Sequence, residues 1–481
     1  MDSPKNIYLI GICGTAMASL AGMLREKGYR VCGSDSDVYP PMSDFLDKLG
    51  IPVFKGYSAE NFSRTKPDLV VIGNALSRGN VEIEHVLDSG IRYASMAETV
   101  KELFIRGKNS IVVAGTHGKT TTTAMLAWIL DVAGRKPSFL VGGIAENFGR
   151  SFQVAGGPDF VIEGDEYDTA FFDKGPKFLH YLPRIVLLKN VEFDHADIYA
   201  DLEAIKTAFR RLLNIIPRSG LVVADVDSPV VRELIPAAFS RVATAGIGLG
   251  DWQATNIQTT PNGMAFDVKQ SGTPIGRFSI PMAGTFNVQN ALGAIIVAGE
   301  LRIENDVIRR ALASFKSVKR RLELRGEAKG VRVYDDFAHH PTAVLETLRA
   351  VRERVRDQRI WAVFEPRSQT CRRRIFEQAF IEAFLPADLT VIAQVYSSAK
   401  MDPQETLSPD RVAEGIRQRG KGAYTFGSTD EIVSFLASQV RPGDHVVIMS
   451  NGGFDNIHNK LLERLVEGGN ENGAARLFHR M

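Results

Sequence analysis

"VVAGTHGKTTTTAML" (112–126) is the stretch on which the reading of the whole chain turns. An apolar run of strand character (Ile111, Val112, Val113) leads into Gly-Thr-His-Gly. A threonine-rich helix start follows, in which Met125, Leu126, Ile129 and Leu130 share one face. Strand, glycine loop and helix in this order make a phosphate cradle. Glycines let successive N–H groups converge on one anion, and the helix N-terminus adds partial positive charge. Val113 stands where the pattern G-x-x-x-x-G-K-[ST] has its first glycine, so the loop is shortened but keeps its cradle. The predicted ATP contacts are Gly115, Thr116, Gly118, Lys119, Thr120 and Thr121, with Lys119 reaching the outer phosphates and the Thr120 hydroxyl facing Mg²⁺.

Working outward, "PDFVIEG" reads as a strand that ends in Glu163, with Asp165, Glu166 and Asp168 close behind. A hard Mg²⁺ ion takes one or two carboxylates together with phosphate oxygens and water, so this cluster is a candidate metal site. "RIVLLKN" is a further strand, and Asp194 and His195 follow it in "NVEFDHADIY". Parallel strands deliver their ends to one sheet edge, which predicts that Lys119, Glu163 and His195 converge. His195 is expected to be a ligand or a positioning group, the alternative being a purely structural histidine.

Upstream, "NIYLIG", "YRVCGSD" and "DLVVIG" (68–73) alternate with helical stretches, the first running from Thr15 as N-cap to a stop at Gly28. "GICGTAM" carries only part of a dinucleotide fingerprint, because Cys13 and Ala16 occupy two of its glycine positions. Gly11, Gly14 and Thr15 still suit a phosphate at a helix start, and Asp35 falls where a ribose-binding acid would. A nucleotide diphosphate other than NAD is the better reading, and tight strand–helix packing alone is the alternative. Downstream, "WQATNIQTTPNGMAFDVKQSG" predicts an antiparallel hairpin beside the main sheet, turning at Asn262-Gly263. After a basic, hinge-like segment (314–326), strands are expected at "VRVYDDF", "RIWAVFEP", "LTVIAQV" and "DHVVIMSNGG".

The chain is therefore read as α/β in three domains. An N-terminal Rossmann-like domain spans 1–108, a central P-loop parallel sheet with an accessory antiparallel element spans 109–315, and a C-terminal Rossmann-like domain spans 316–481. A length of 481 residues fits several cores, and 44% hydrophobic with 24% charged residues is ordinary for a globular protein. A net charge of +2 gives no global field for nucleic acid. The three cysteines form neither a metal spacing nor a disulfide framework. No signal peptide or membrane-spanning run is read, so a cytoplasmic protein is expected.

"GTHGKTTT", "EGDEYD", "EFDHADIY", "GTFNVQN" (284–290), "VKRRLELRG" and "YDDFAHHPTA" occur in the order found in the Mur ligases, and the chain resembles that family over nearly its whole length. The resemblance implies ATP-dependent amide formation through an acyl phosphate, with ATP and Mg²⁺ as cofactors. It places the UDP part of UDP-N-acetylmuramate on the first domain, ATP on the second and the incoming amine on the third. It assigns Thr120 and Glu163 to one Mg²⁺ and His195 to the second metal or carboxylate region. Asn287 and Asn290 fall near the adenine, Arg321 opposite the γ-phosphate and Asp335 near the ribose.

"SDVYPPMS", "FFDKGPKFLHY", "FEPRSQT" and "MSNGGFDNIH" resemble members whose amine is the tripeptide L-alanyl-γ-D-glutamyl-meso-diaminopimelate. Free L-alanine is the alternative acceptor. A P-loop switch and an NAD-dependent dehydrogenase are less consistent with two separate nucleotide loops. Arg367, Ser368 and Asn451, at strand ends of the third domain, are the predicted peptide contacts; for Arg367 a surface ion pair is the alternative. The run Arg372 to Arg374 is expected to be a solvated helical face. Several relatives carry a carbamylated lysine about four helical turns after the "DH" motif. Arg210 and Arg211 stand there, with Lys206 one turn early, so no carbamylation is expected.

Overall fold

The computed structural model describes residues 4–39, 42–196, 198–395 and 404–467, together with the backbone of 476–477. Pro40, Pro41 and Asp197, which belong to two of the motifs above, lie outside the described residues.

Three sheets follow one another along the chain. The first has five parallel strands in the order Val53–Lys55, Arg30–Asp35, Asn6–Ile10, Leu69–Ile72, Tyr93–Ser95. Its central strands are buried on both faces, which is why they read as unbroken apolar runs rather than as alternation. The helix Thr15–Glu26 starts one residue earlier than expected. Gly14, not Thr15, is the N-cap, in extended conformation and with no side-chain cap, so the first N–H groups of the helix are left open.

The middle sheet has ten strands. Asn109–Ala114 lies between Asp159–Gly164 and Ile185–Leu188, both parallel to it, with Ala114 beside Gly164 and Leu188. The three strand ends therefore finish level at one edge. The hairpin Trp252–Thr260 and Gly263–Gln270 forms as expected, but it turns at Pro261-Asn262, one residue earlier than read, because Gly263 already pairs with Thr260. It is not a separate element, however: Ala245 pairs with Trp252, and Thr273–Ile280 adds a third antiparallel strand, so the meander extends the main sheet.

The third sheet has seven strands around Ile360–Phe364 and His445–Met449. The hinge-like segment 314–326 is only partly a linker, because Glu323–Ala328 forms an antiparallel strand on Val331–Asp336.

Helix Thr15–Glu26 of the first unit abuts strand Arg150–Gln153 of the second. A Cβ at Gly22 would lie 2.4 Å from the Phe152 ring, Ser19 and Ser151 hydroxyls meet at 2.8 Å, and Arg150 pairs with Glu26 at 2.8 Å. Gly22→Leu should overpack this joint and destabilise the protein by about 1–3 kcal/mol. Urea unfolding checks this; an unchanged midpoint would mean that Phe152 has room to retreat.

Candidate active site

The shortened loop is built by its backbone and by what lies behind it. Gly115 (φ +129°) and Gly118 (φ +84°) adopt conformations that a side chain strains. A Cβ on Gly115 would also meet Asn190 O at 2.8 Å, and one on Gly118 would meet Asn290 Oδ1 at 2.6 Å. Thr116 N donates to Asn190 O at 2.8 Å, His117 N donates to Asn190 Oδ1 at 3.0 Å, and Thr116 Oγ1 accepts from Glu192 N at 2.9 Å. The loop is thus sewn to the segment following strand Ile185–Leu188. Helix Lys119–Val132 begins at Gly118 with no side-chain cap, leaving its first N–H groups for an anion; Thr121, in its first turn, is buried.

Lys119 Nζ donates to Gly115 O at 2.7 Å and pairs with Glu166 at 2.9 Å. The other oxygen of Glu166 lies 3.4 Å from His195 Nε2. Burial alone would raise the Glu166 pKa, but Lys119 and His195 outweigh it and hold the carboxylate ionised. Burial likewise works against charge on Lys119 and His195, yet the carboxylates around them leave both above their ordinary values. Thr120 Oγ1 donates to Glu163 Oε2 at 3.0 Å and accepts from Arg321 Nη2 at 3.3 Å. Glu163 also accepts from Gly142 N; burial and the neighbouring Asp165 push it up to about 7. A hydroxyl beside two crowded carboxylates is a hard-oxygen set that fits Mg²⁺.

Lys119, Glu163 and His195 do meet at one edge, but Glu166 is the hub. Sequence placed it among four acids without showing which one turns inward.

The remaining predicted residues fall as follows. Asn287 and Asn290 are buried, Asn290 Nδ2 donating to Asn287 Oδ1 at 3.1 Å; Asn290 backs Gly118, and Asn287 Nδ2 donates to Ala283 O at 2.8 Å. Asp335 is buried between Arg320 (3.3 Å) and His458 (3.4 Å). Arg367 pairs with Glu365 at 3.6 Å, the Ser368 hydroxyl accepts from Cys371 N at 3.2 Å, and Asn451 follows the neighbouring strand with its buried Oδ1 unbonded. In the first sheet, Asp35 accepts from Cys13 N at 2.8 Å, so it braces the turn that holds Gly11, Gly14 and Thr15.

One expectation is overturned. Of the run Arg372 to Arg374 only Arg374 is exposed as expected: Arg372 is buried, and Arg373, half-buried, reaches across to donate to Ala196 O at 2.7 Å, inside the "DHAD" motif. The chain at 405–407 supplies backbone partners, Arg374 N donating to Glu405 O and Leu407 N to Arg372 O, both at 2.7 Å. Lys206 is held away from the site by Glu203 (2.8 Å) and Glu233 (2.6 Å).

A phosphate loop with lysine, hydroxyl, carboxylates and an arginine brought from a following domain defines a P-loop enzyme that handles a nucleoside triphosphate. Family models match in series: the Mur ligase family catalytic domain over 6–107, the Mur ligase middle domain over 113–298 and the Mur ligase glutamate ligase domain over 320–452. The chain belongs to the Mur ligase family and is an ATP-dependent ligase that forms amide bonds.

It is 42% identical, over 96% of its length and 98% of the relative, to UDP-N-acetylmuramate–L-alanyl-γ-D-glutamyl-meso-2,6-diaminoheptandioate ligase of Escherichia coli K12. Against UDP-N-acetylmuramate–L-alanine ligase of Desulforapulum autotrophicum it is 34% identical over 96% of this chain and 98% of the relative. The crystal structure of a murein peptide ligase from Psychrobacter arcticus is 35% identical and matches with a TM-score of 0.73, covering 97% of this chain and 99% of that one.

With Lys119 resting on Glu166, an incoming triphosphate must displace one negative charge with another. Glu166→Gln leaves the buried Lys119 ammonium without its carboxylate and should therefore bind Mg²⁺-free ATP more tightly, while lowering turnover because His195 loses its anchor. Calorimetric nucleotide titration reads the first effect; weaker binding would contradict it.

Proposed function

We propose that this chain joins the lactoyl carboxylate of UDP-N-acetylmuramate to the alanyl amine of L-alanyl-γ-D-glutamyl-meso-diaminopimelate in the cytoplasm, returning wall peptide to the precursor pool. The difference between 42% and 34% identity supports the tripeptide over free L-alanine as acceptor. The observation that carries the reaction type is the Arg321–Thr120 contact, at 3.3 Å, which brings a third-domain cation to the phosphate loop.

A carboxylate does not condense with an amine in water, because its leaving group is poor. In the proposed sequence a carboxylate oxygen of the sugar substrate attacks the γ-phosphorus, ADP departs and an acyl phosphate results. The free amine then adds to the acyl carbon, the amine proton is lost and inorganic phosphate leaves from the tetrahedral adduct. Phosphoryl transfer is helped chiefly by positioning and by neutralised charge. Lys119 and Arg321 supply fixed positive charge on two sides of the loop, and His195, held by Glu166, adds a third. Thr120 and Glu163 would hold Mg²⁺, which when bound neutralises phosphate oxygens. Gly11, Gly14, Thr15 and Asp35 would take the UDP portion. The third-domain edge with Arg367, Ser368 and Asn451 would take the peptide, whose carboxylates suit a guanidinium.

ADP release with UDP-N-acetylmuramate and a panel of amines is the test. Turnover with the tripeptide well above that with L-alanine is expected; the reverse preference would move the chain to the L-alanine reading. Lys119→Ala should lower turnover at least about 100-fold with an unchanged circular dichroism spectrum.

A further inference from the structure

His117, Glu192 and His340 come from three separate segments: the phosphate loop, the chain after strand Ile185–Leu188, and the residue that opens helix Pro341–Val355 in the third domain. One donor atom from each lies within 4.8 Å of the other two. Glu192 Oε2 is 3.6 Å from His117 Nε2 and 3.6 Å from His340 Nδ1, and the two imidazole rings are 4.9 Å apart. Both nitrogens are too far from the carboxylate for a good hydrogen bond, and His117 Nε2 is buried with no hydrogen-bond partner at all. On the far side of its ring, His340 Nε2 is 3.3 Å from Phe193 O. A proton there leaves Nδ1 as a lone pair facing the carboxylate, and that lone pair receives only a long 3.3 Å contact from Thr342 N.

Two imidazoles and a carboxylate converging on one another, with the far nitrogen of one ring facing a backbone carbonyl, is the arrangement of a transition-metal site. Donor atoms on a tetrahedral zinc ion stand about 3.3 Å apart, close to the two carboxylate–imidazole separations of 3.6 Å. We propose that His117, Glu192 and His340 form a site for a borderline divalent metal of the zinc class, separate from the oxygen-rich Mg²⁺ set at Thr120 and Glu163. Mg²⁺ prefers oxygen donors and does not compete well for imidazole. Because its ligands come from both the middle and the third domain, the ion binds only the arrangement in which the two touch, and its occupancy draws the protein toward that arrangement. The site rests on the geometry of these three residues and not on the choice of amine acceptor.

The test uses the full chain, stripped by chelator and then saturated with Mg²⁺, into which Co²⁺ is titrated. One Co²⁺ per chain with visible ligand-field bands, displaced by Zn²⁺, is expected. Glu192→Gln should weaken binding at least about tenfold, as should His340→Asn, which keeps a helix-capping side chain. His180→Asn should leave binding unchanged, since that ring pairs elsewhere with Asp173 at 2.7 Å. Absence of stoichiometric Co²⁺ binding in the presence of Mg²⁺, or equal affinity in both ligand variants, overturns the proposal. Should either variant fail to fold, X-ray absorption of the Co²⁺-loaded parent decides: imidazole scattering supports the site, and an all-oxygen shell overturns it.

Discussion

A buried ammonium must be paired, and much of the middle domain's active edge is organised around that demand. Lys119 sits at the start of a helix whose open N–H groups already favour anions, so an unpaired positive charge there would be doubly costly. Glu166 meets the need, and the same carboxylate fixes His195 through its second oxygen. His195 itself has a positive φ of +51°, unusual for a residue with a side chain. Its backbone is held there by Asp194, which accepts from His195 N at 2.7 Å, and by Ile198 N and Tyr199 N, which donate to His195 O. The lysine, the acid and the histidine therefore behave as one unit. A phosphate entering the cradle acts on all three.

The second constraint is that this unit is completed from outside its own sheet. Arg321 donates to Thr120, Arg373 to Ala196 O, and Thr342 Oγ1 to Glu192 Oε2 at 2.6 Å. Each contact ties the third domain to a different stretch of the middle domain's carboxyl edge. Charge neutralisation at the loop is thereby coupled to the relative position of two bodies, so chemistry that needs Arg321 can proceed only when they touch.

Much of this was legible in the chain, for identifiable reasons. Strands buried on both faces, such as Ile185–Leu188 and His445–Met449, announce themselves as short apolar runs, and the phosphate loop has fixed local spacing. Glu323–Ala328 escaped notice because charged Glu323, Arg325 and Glu327 alternate along it and Leu324 is exposed, so it carries no apolar signature. Arg372 and Arg373 misled because a charge run says nothing about which of its members meet a distant part of the chain. Glu166, and the meeting of His117, Glu192 and His340, depend on side-chain direction across segments far apart in sequence, which no local pattern records.

The crossing between the middle and third domains is wound unusually tightly. Ser317, Arg320 and Leu322 all have positive φ (+74°, +63° and +48°), at roughly 1–2 kcal/mol each for residues with a Cβ. Ser317 O accepts from Glu146 N at 3.1 Å, and Lys319 N donates to Ile144 O at 3.0 Å, so the chain up to Lys319 belongs mechanically to the middle domain. Arg320 O accepts from Phe337 N at 2.9 Å, and Leu322 N donates to Asp336 at 2.8 Å, so from Arg320 onward it belongs to the third. Ownership changes across a single peptide link, which makes that link the axle for any swing of the third domain. Arg321 is mounted one residue past that link, so any swing about it would be passed almost directly to the guanidinium that donates to Thr120.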